Sequence, residues 1–182
     1  MMPFFPPEPY ERPVHTVCFS GHRPAKLPQG KLLQMIQSLL FEEIRQAVQQ
    51  GATVFYTGLA QGIDLWAADY VLRLRKDHPQ IRLIGVKPFA GCGDPLRGDD
   101  RYHFACVVHA ADAIIALQPA FTRDCYRKRN QYMVDHSDTI IAVVDSMRSG
   151  TGQAIRMAQS ADLQTRIISV TEIRDRLQNS YD

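Results

Sequence analysis

Thr57-Gly58-Leu59-Ala60-Gln61-Gly62-Ile63-Asp64-Leu65-Trp66-Ala67-Ala68-Asp69 is the stretch whose reading decides the fold. An apolar run, Thr53-Val54-Phe55-Tyr56, leads into it, and an amphipathic helix leads out over about residues 62–77. Strand, glycine-bearing turn and helix start therefore follow one another. Such a junction gathers free backbone N–H groups and the positive end of a helix dipole at one point, which suits an anion such as a phosphate. Gly58 and Gly62 let the chain turn sharply and let a ligand approach the backbone closely. Asp64 stands in the first helical turn, where it can cap the helix or accept a hydrogen bond from a ribose hydroxyl. An ordinary strand-to-helix turn with a capping Asp would read the same way, but similar turns recur at Gly21 and Gly150.

Working outward, residues 15–20 form an apolar run that ends at Gly21-His22-Arg23-Pro24. Residues 31–50 carry apolar side chains with a helix period, stopped by Gly51. Beyond the central stretch, strands are expected at residues 81–86, 113–117, 139–145 and 166–170. Helices are expected from Asp99 or Asp100, as a cap, to about 110, and over 125–136, 150–161 and 171–177. Alternating strands and helices, with several strands apolar throughout, predict an α/β class: a three-layer, Rossmann-like fold around a mainly parallel sheet of about six strands. In such sheets ligands bind outside the carboxyl ends of the strands, where strand order reverses. The turns at Gly21, Gly58 and Gly150 are then expected on one edge of the sheet.

The length of 182 residues favours one domain, placed at 14–182 behind a proline-rich arm at 1–13. Phe4, Phe5 and Tyr10 can tack that arm onto the surface or onto a partner subunit. A formal net charge of +2 is too small to predict nucleic-acid binding by charge alone. Cys18, Cys92, Cys106 and Cys125 form no C-x-x-C pair and read as reduced thiols of a cytoplasmic protein. The histidines lack metal-ligand spacing, and Asp94, Asp99 and Asp100 read as a solvated loop, so neither a metal nor a cofactor is expected. No apolar run approaches the ~20 residues that span a bilayer.

Three further motifs join the central turn. Arg23 can pair with a phosphate and His22 can hydrogen-bond one; the alternative is a tight turn with a surface arginine. Arg129-Asn130, with Met133 on the same helix, sets a cation and an amide on one face; the alternative is a solvated basic face with Met133 in the core. Ser149-Gly150-Thr151-Gly152 opens a helix and supplies hydroxyls and N–H groups. It lacks the lysine of a phosphate-cradling Walker motif and does not fit G-x-G-x-x-G, which argues against a dinucleotide oxidoreductase. Trp66 reads as core before it reads as a stacking platform, and Cys125 as a plain buried cysteine.

Taken together these residues resemble the SLOG superfamily of Rossmann-like proteins, over roughly residues 14–170. That superfamily includes the DNA-processing protein A family and the LOG phosphoribohydrolases once labelled lysine decarboxylases; the nearest branch is YpsA-like. Gly21-His22-Arg23 looks like the G-S-R of the DNA-processing group, and Gly58-Leu59-Ala60-Gln61-Gly62-Ile63-Asp64 is very similar to its G-L-A-x-G-I-D. Arg129-Asn130 matches its R-N and the arginine of R-K-x-x-M in LOG enzymes, and Ser149-Gly150-Thr151 stands in the place of S-G-S or G-G-x-G-T. The LOG catalytic Glu, in G-T-x-x-E, is replaced by Ala154, so the resemblance implies a kept cradle without LOG-type hydrolysis.

The resemblance implies a module that binds or senses a nucleotide-derived, phosphate-bearing small molecule at the C-terminal edge of the sheet. Its contacts are expected from Gly21, His22 and Arg23, from Gly58, Leu59, Ala60, Gly62 and Asp64, and from Arg129, Asn130, Ser149, Gly150 and Thr151, with no catalytic residue. The alternative is a single-stranded DNA binder like DNA-processing protein A, supported by Arg123, Arg127, Lys128 and Arg129. A nucleotide N-glycosidase using a different acid is a weaker option. A homodimer is expected.

Overall fold

The computed structural model describes residues 15–179, so the arm at 1–13 lies outside the described residues. Six strands alternate with six helices: β1 (Thr16–Gly21), α1 (Gly30–Gln49), β2 (Val54–Thr57), α2 (Ile63–Leu74), β3 (Arg82–Lys87), α3 (Gly98–Ala110), β4 (Ala113–Ala116), α4 (Cys125–Asp135), β5 (Thr139–Val144), α5 (Gly150–Ser160), β6 (Gln164–Ser169) and α6 (Val170–Asn179). The strands form one sheet in the order β4-β3-β2-β1-β5-β6, every pairing parallel. The expected α/β class, parallel sheet and strand number are therefore observed, with element ends within a few residues of the sequence reading.

The layers follow from where the apolar side chains fall. Ile36, Leu40 and Ile44 are fully buried one helical turn apart on α1 and form its core stripe. They pack with Val71 of α2 and Phe19 and Phe55 of the sheet in the larger core. On the opposite face Met133 and Val134 of α4 and Ile155 and Ala158 of α5 pack on Ile140, Ala142 and Val144. All six residues of β5 are buried, as a strand covered on both faces requires. Cutting Leu40 to alanine would cost about 2–5 kcal/mol at such a site. Trp66 is half-buried against the larger core, Met133 belongs to the smaller one, and Cys125 is fully buried.

One end differs from expectation. Helix α3 begins at Gly98 with Arg97 in the cap position, and no side chain makes a capping bond; Asp99 and Asp100 sit in the first turn. Gly98 has φ +55°, and that backbone, admitted by a missing Cβ, starts the helix ahead of the acids.

The chain builds β1 to β4 outward on one side, then returns to place β5 and β6 on the other. The order reverses between β1 and β5, and their carboxyl ends open a crevice. Among the described residues, no helix is long and apolar enough to cross a membrane.

Candidate functional site

The turn after β1 and the loop after β5 meet across this crevice. The backbone N–H of Asp145 donates to His22 Nε2 at 3.0 Å. A ring nitrogen that accepts must be unprotonated, and burial pushes the His22 pKa below its ordinary value. His22 is thus a neutral clasp between β1 and β5. Gly21 is glycine for a packing reason: a Cβ there would stand 2.3 Å from Ile63 Cβ.

The central turn is tied from within. Thr57 Oγ1 donates to the Asp64 carbonyl and accepts from the Leu59 N–H. Leu59 is held at φ +58°, an unusual conformation for a side-chain-bearing residue. Gly62 has φ +87°, and a Cβ there would meet the His22 carbonyl at 2.7 Å. Asp64 is 3% exposed, makes no cap, and its carboxylate accepts from the Ala60 N–H. Burial, opposed by the Arg129 charge, raises the Asp64 pKa to about 6. Asp64 does not cap the helix as the sequence suggested; it is a buried carboxylate beneath the turn. Much of the turn's N–H capacity is spent internally, which corrects the expectation that these groups lie open to an anion.

Arg129 enters from α4. Its Nη1 donates to the Gly58 carbonyl at 3.0 Å and its Nη2 to Asn130 Oδ1 at 3.1 Å. Arg129 and Asn130 are both buried. Elsewhere in the basic cluster Lys128 pairs with Asp124 at 3.0 Å, and Arg127 approaches the same carboxylate at 4.0 Å.

The first turn of α5 differs. Ser149 caps the helix, its Oγ accepting from the Gly152 N–H at 3.1 Å. Among the described residues, no group accepts from the N–H of Gly150 or Thr151. Gly150 has open space where a Cβ would lie, whereas a Cβ on Gly152 would meet the Met147 carbonyl oxygen at 2.1 Å.

These pieces line a cleft of two joined lobes. The first, about 200 Å³, is polar, walled by Gly21, His22, Asn130, Ser149, Gly150 and Thr151. The second, about 270 Å³, adjoins Gly58, Leu59 and Gln61 and is closed by Pro88, Leu96 and Phe104. Arg23, Ala60, Tyr126 and Arg129 line both. The guanidinium carbons of Arg23 and Arg129 each lie 5.7 Å from the Tyr126 ring centre. Lys26 lines the first lobe, and among the described residues neither it nor Arg23 has a carboxylate partner. The sequence-predicted glycines thus converge: Gly21 and Gly150 on the first lobe, Gly58 on the second. Gly62 and Asp64 lie behind the lining.

Tyr126, Lys26, Pro88, Leu96 and Phe104 were not among the expected contacts. Tyr126 lies three residues before Arg129, on the same helical face, and Lys26 three after Arg23 across a 3₁₀ turn. Those spacings were readable. The wall from Pro88 to Phe104 belongs to elements distant in sequence from every glycine turn. Asp94, Asp99 and Asp100 do not form a group with metal-holding arrangement, and no such group exists among the described residues.

The family model of YpsA (YspA SLOG family) matches residues 17–173, nearly the whole described domain. The chain belongs to the YpsA SLOG family. Among its relatives, the SPβ prophage-derived protein YoqJ of Bacillus subtilis (strain 168) is 31% identical over 147 residues, covering 74% of this chain and 82% of that protein. A UPF0398 protein of Bacillus cereus (strain B4264) is 22% identical over 148 residues, covering 78% and 80%. DNA processing protein A of Helicobacter pylori, whose structure was described for its single-stranded DNA binding mode, is similar in fold: TM-score 0.58, 19% identity, 91% of this chain and 73% of that one. The Streptococcus pneumoniae protein gives TM-score 0.61 at 15% identity, over 92% of this chain and 56% of that one. This YpsA-family domain thus shares the Rossmann-like fold of the DNA processing A proteins.

Proposed function

We propose that the cleft binds a nucleotide-derived, phosphate-bearing small molecule, with the phosphate in the polar lobe. One observation carries this reading: two cations, Arg23 and Lys26, and the two N–H groups of Gly150 and Thr151, all without a carboxylate or acceptor among the described residues, line the same lobe. A helix N-terminus with free donors favours an anion, and neighbouring cations supply its countercharge. The two lobes together fall within the ~300–1,000 Å³ range of small-molecule pockets, which neither reaches alone.

Binding is favoured over hydrolysis. Among the described residues, no carboxylate lines either lobe. Ala154, where the LOG glutamate would stand, is buried against the sheet. The carboxylic acid that general acid–base cleavage of a glycosidic bond uses in LOG-type enzymes therefore has no counterpart among the described residues of the cleft.

Single-stranded DNA is the second reading, favoured by the fold likeness to the DNA processing A proteins. A strand-tracking surface needs a row of open cations. Here Arg127 and Lys128 share Asp124, which weakens that reading.

A thermal-shift screen of mononucleotides, nucleotide sugars, ADP-ribose derivatives and short single strands tests the proposal. A small ligand at 100 times its dissociation constant stabilises the fold by about 2.7 kcal/mol. A shift with oligonucleotides alone would transfer the assignment to DNA.

A further inference from the structure

We propose that the second lobe, walled by Leu59, Pro88, Leu96 and Phe104, is the subsite for the heteroaromatic base of the ligand, so that base and phosphate bind on opposite sides of Tyr126. This rests on the phosphate reading of the first lobe and goes beyond it by assigning the other half of the ligand.

Continuity is the first argument. Arg23, Ala60, Tyr126 and Arg129 line both lobes, so a molecule anchored in one reaches the other across the Tyr126 ring. Lining chemistry is the second. Both lobes mix polar and apolar surface; the first adds the hydroxyls and N–H groups of Ser149 to Thr151 and the Lys26 cation, whereas the second adds the flat or apolar side chains of Pro88, Pro95, Leu96 and Phe104. A flat base loses little by leaving water for such walls, and guanidinium planes at the shared boundary stack on aromatic faces. Gln61 and the backbone carbonyl groups of the turn provide polar partners for the edge of a base.

The lobe is also shaped by constraints that serve no part of the polar lobe. Leu59 is held at positive φ, with its side chain against Gly85; a Cβ on Gly85 would lie 2.9 Å from Leu59 Cδ1. Gly93 lets the Phe104 ring pack under the loop, since a Cβ there would lie 2.4 Å from the ring. Lys87 Nζ sits 5.5 Å from the Phe104 ring centre and braces it from outside the lobe. The walls are therefore fixed before any ligand arrives, as a base subsite requires.

The test titrates AMP, GMP, CMP and UMP against ribose 5-phosphate, using the full chain and the variants Leu96→Trp, which fills the lobe, and Leu96→Ala, which removes a wall. The tightest monophosphate should bind at least about tenfold more tightly than ribose 5-phosphate. Leu96→Trp should abolish that advantage and Leu96→Ala reduce it about threefold, while ribose 5-phosphate affinity stays within about twofold in both. Ribose 5-phosphate binding as tightly as every monophosphate overturns the base subsite and leaves the phosphate lobe standing. Equal losses for both probes in both Leu96 variants also overturn it. Failure of every probe to bind the unaltered chain removes both readings together.

Discussion

Arg129 and Asp64 meet against Gly58: a Cβ placed on that glycine would lie 2.7 Å from both the Arg129 guanidinium carbon and Asp64 Oδ2. Gly58 is glycine because a buried cation and a buried anion press on it from two sides. Its backbone carbonyl also holds the guanidinium. Gly58→Ala must push apart groups with little room to move, and overpacking of this kind costs about 1–3 kcal/mol. Chemical denaturation of Gly58→Ala should show that loss. Unchanged stability would mean the pair is free to relax.

Asp64 gives the fold a pH signature. Its pKa rises from 3.8 in the unfolded chain to about 6 in the fold. The folded state then holds the extra proton between those values, so the stability Asp64 contributes is present below about pH 4 and lost as pH rises through about 6. The shift corresponds to about 2–3 kcal/mol. His22, with a lowered pKa, acts in the opposite direction, losing stability as pH falls. Comparing the unaltered chain with Asp64→Asn isolates the carboxylate: the stability difference should move in favour of Asp64→Asn by about that amount between pH 4 and 7. A constant difference would place the Asp64 pKa near its ordinary value.

Two glycines of α5 separate binding from stability. Gly150 lines the polar lobe and has space for a side chain; Gly152 has the Met147 carbonyl in the way. Gly150→Val should therefore keep the melting temperature within a few degrees and lose ligand by filling the lobe. Gly152→Ala should melt below the parent, by about 2–4 °C for each 1 kcal/mol lost in a domain of this size. Reversed outcomes in calorimetry would show that Gly150 serves the fold and Gly152 the pocket.

Much of this was legible in the sequence, for a physical reason. Apolar runs such as 139–144 and the helical stripe of Ile36, Leu40 and Ile44 carry their periods locally, and glycine turns announce themselves. Hence the fold, the shared edge and Arg129 were readable. What Asp64 does was not. A carboxylate in a first helical turn reads as a cap until α4 brings Arg129 against the same glycine. The second lobe was hidden for the same reason: Leu59, Leu96 and Phe104 converge only through β3 and α3. Arg166 is a further case, fully buried in β6, where its guanidinium donates to the Glu43 carbonyl.

Arg129 is a strut as well as a wall, because its truncation would remove the donor to the Gly58 carbonyl and the positive charge near Asp64. Leaving the buried Gly58 carbonyl without its donor costs about 1–3 kcal/mol, so loss of binding in Arg129→Ala would mix stability with affinity. Arg23 is exposed, and its side chain makes no hydrogen bond among the described residues. Arg23→Ala should therefore melt with the parent yet bind a nucleoside monophosphate about ten times more weakly, with Arg23→Lys in between. Full affinity in Arg23→Ala would remove it from the phosphate site.

The central claim, that the cleft takes a phosphate-bearing small molecule, is tested most directly by calorimetric titration with a nucleoside 5′-monophosphate and with a short single-stranded oligonucleotide at rising salt. A protein that neutralises several strand phosphates loses roughly three or more decades of affinity between about 50 and 200 mM salt, whereas a single phosphate in a partly enclosed lobe loses about one decade or less. The account predicts saturable monophosphate binding at one site per chain, with the shallow salt dependence. Binding of the oligonucleotide alone, with the steep dependence, would contradict it.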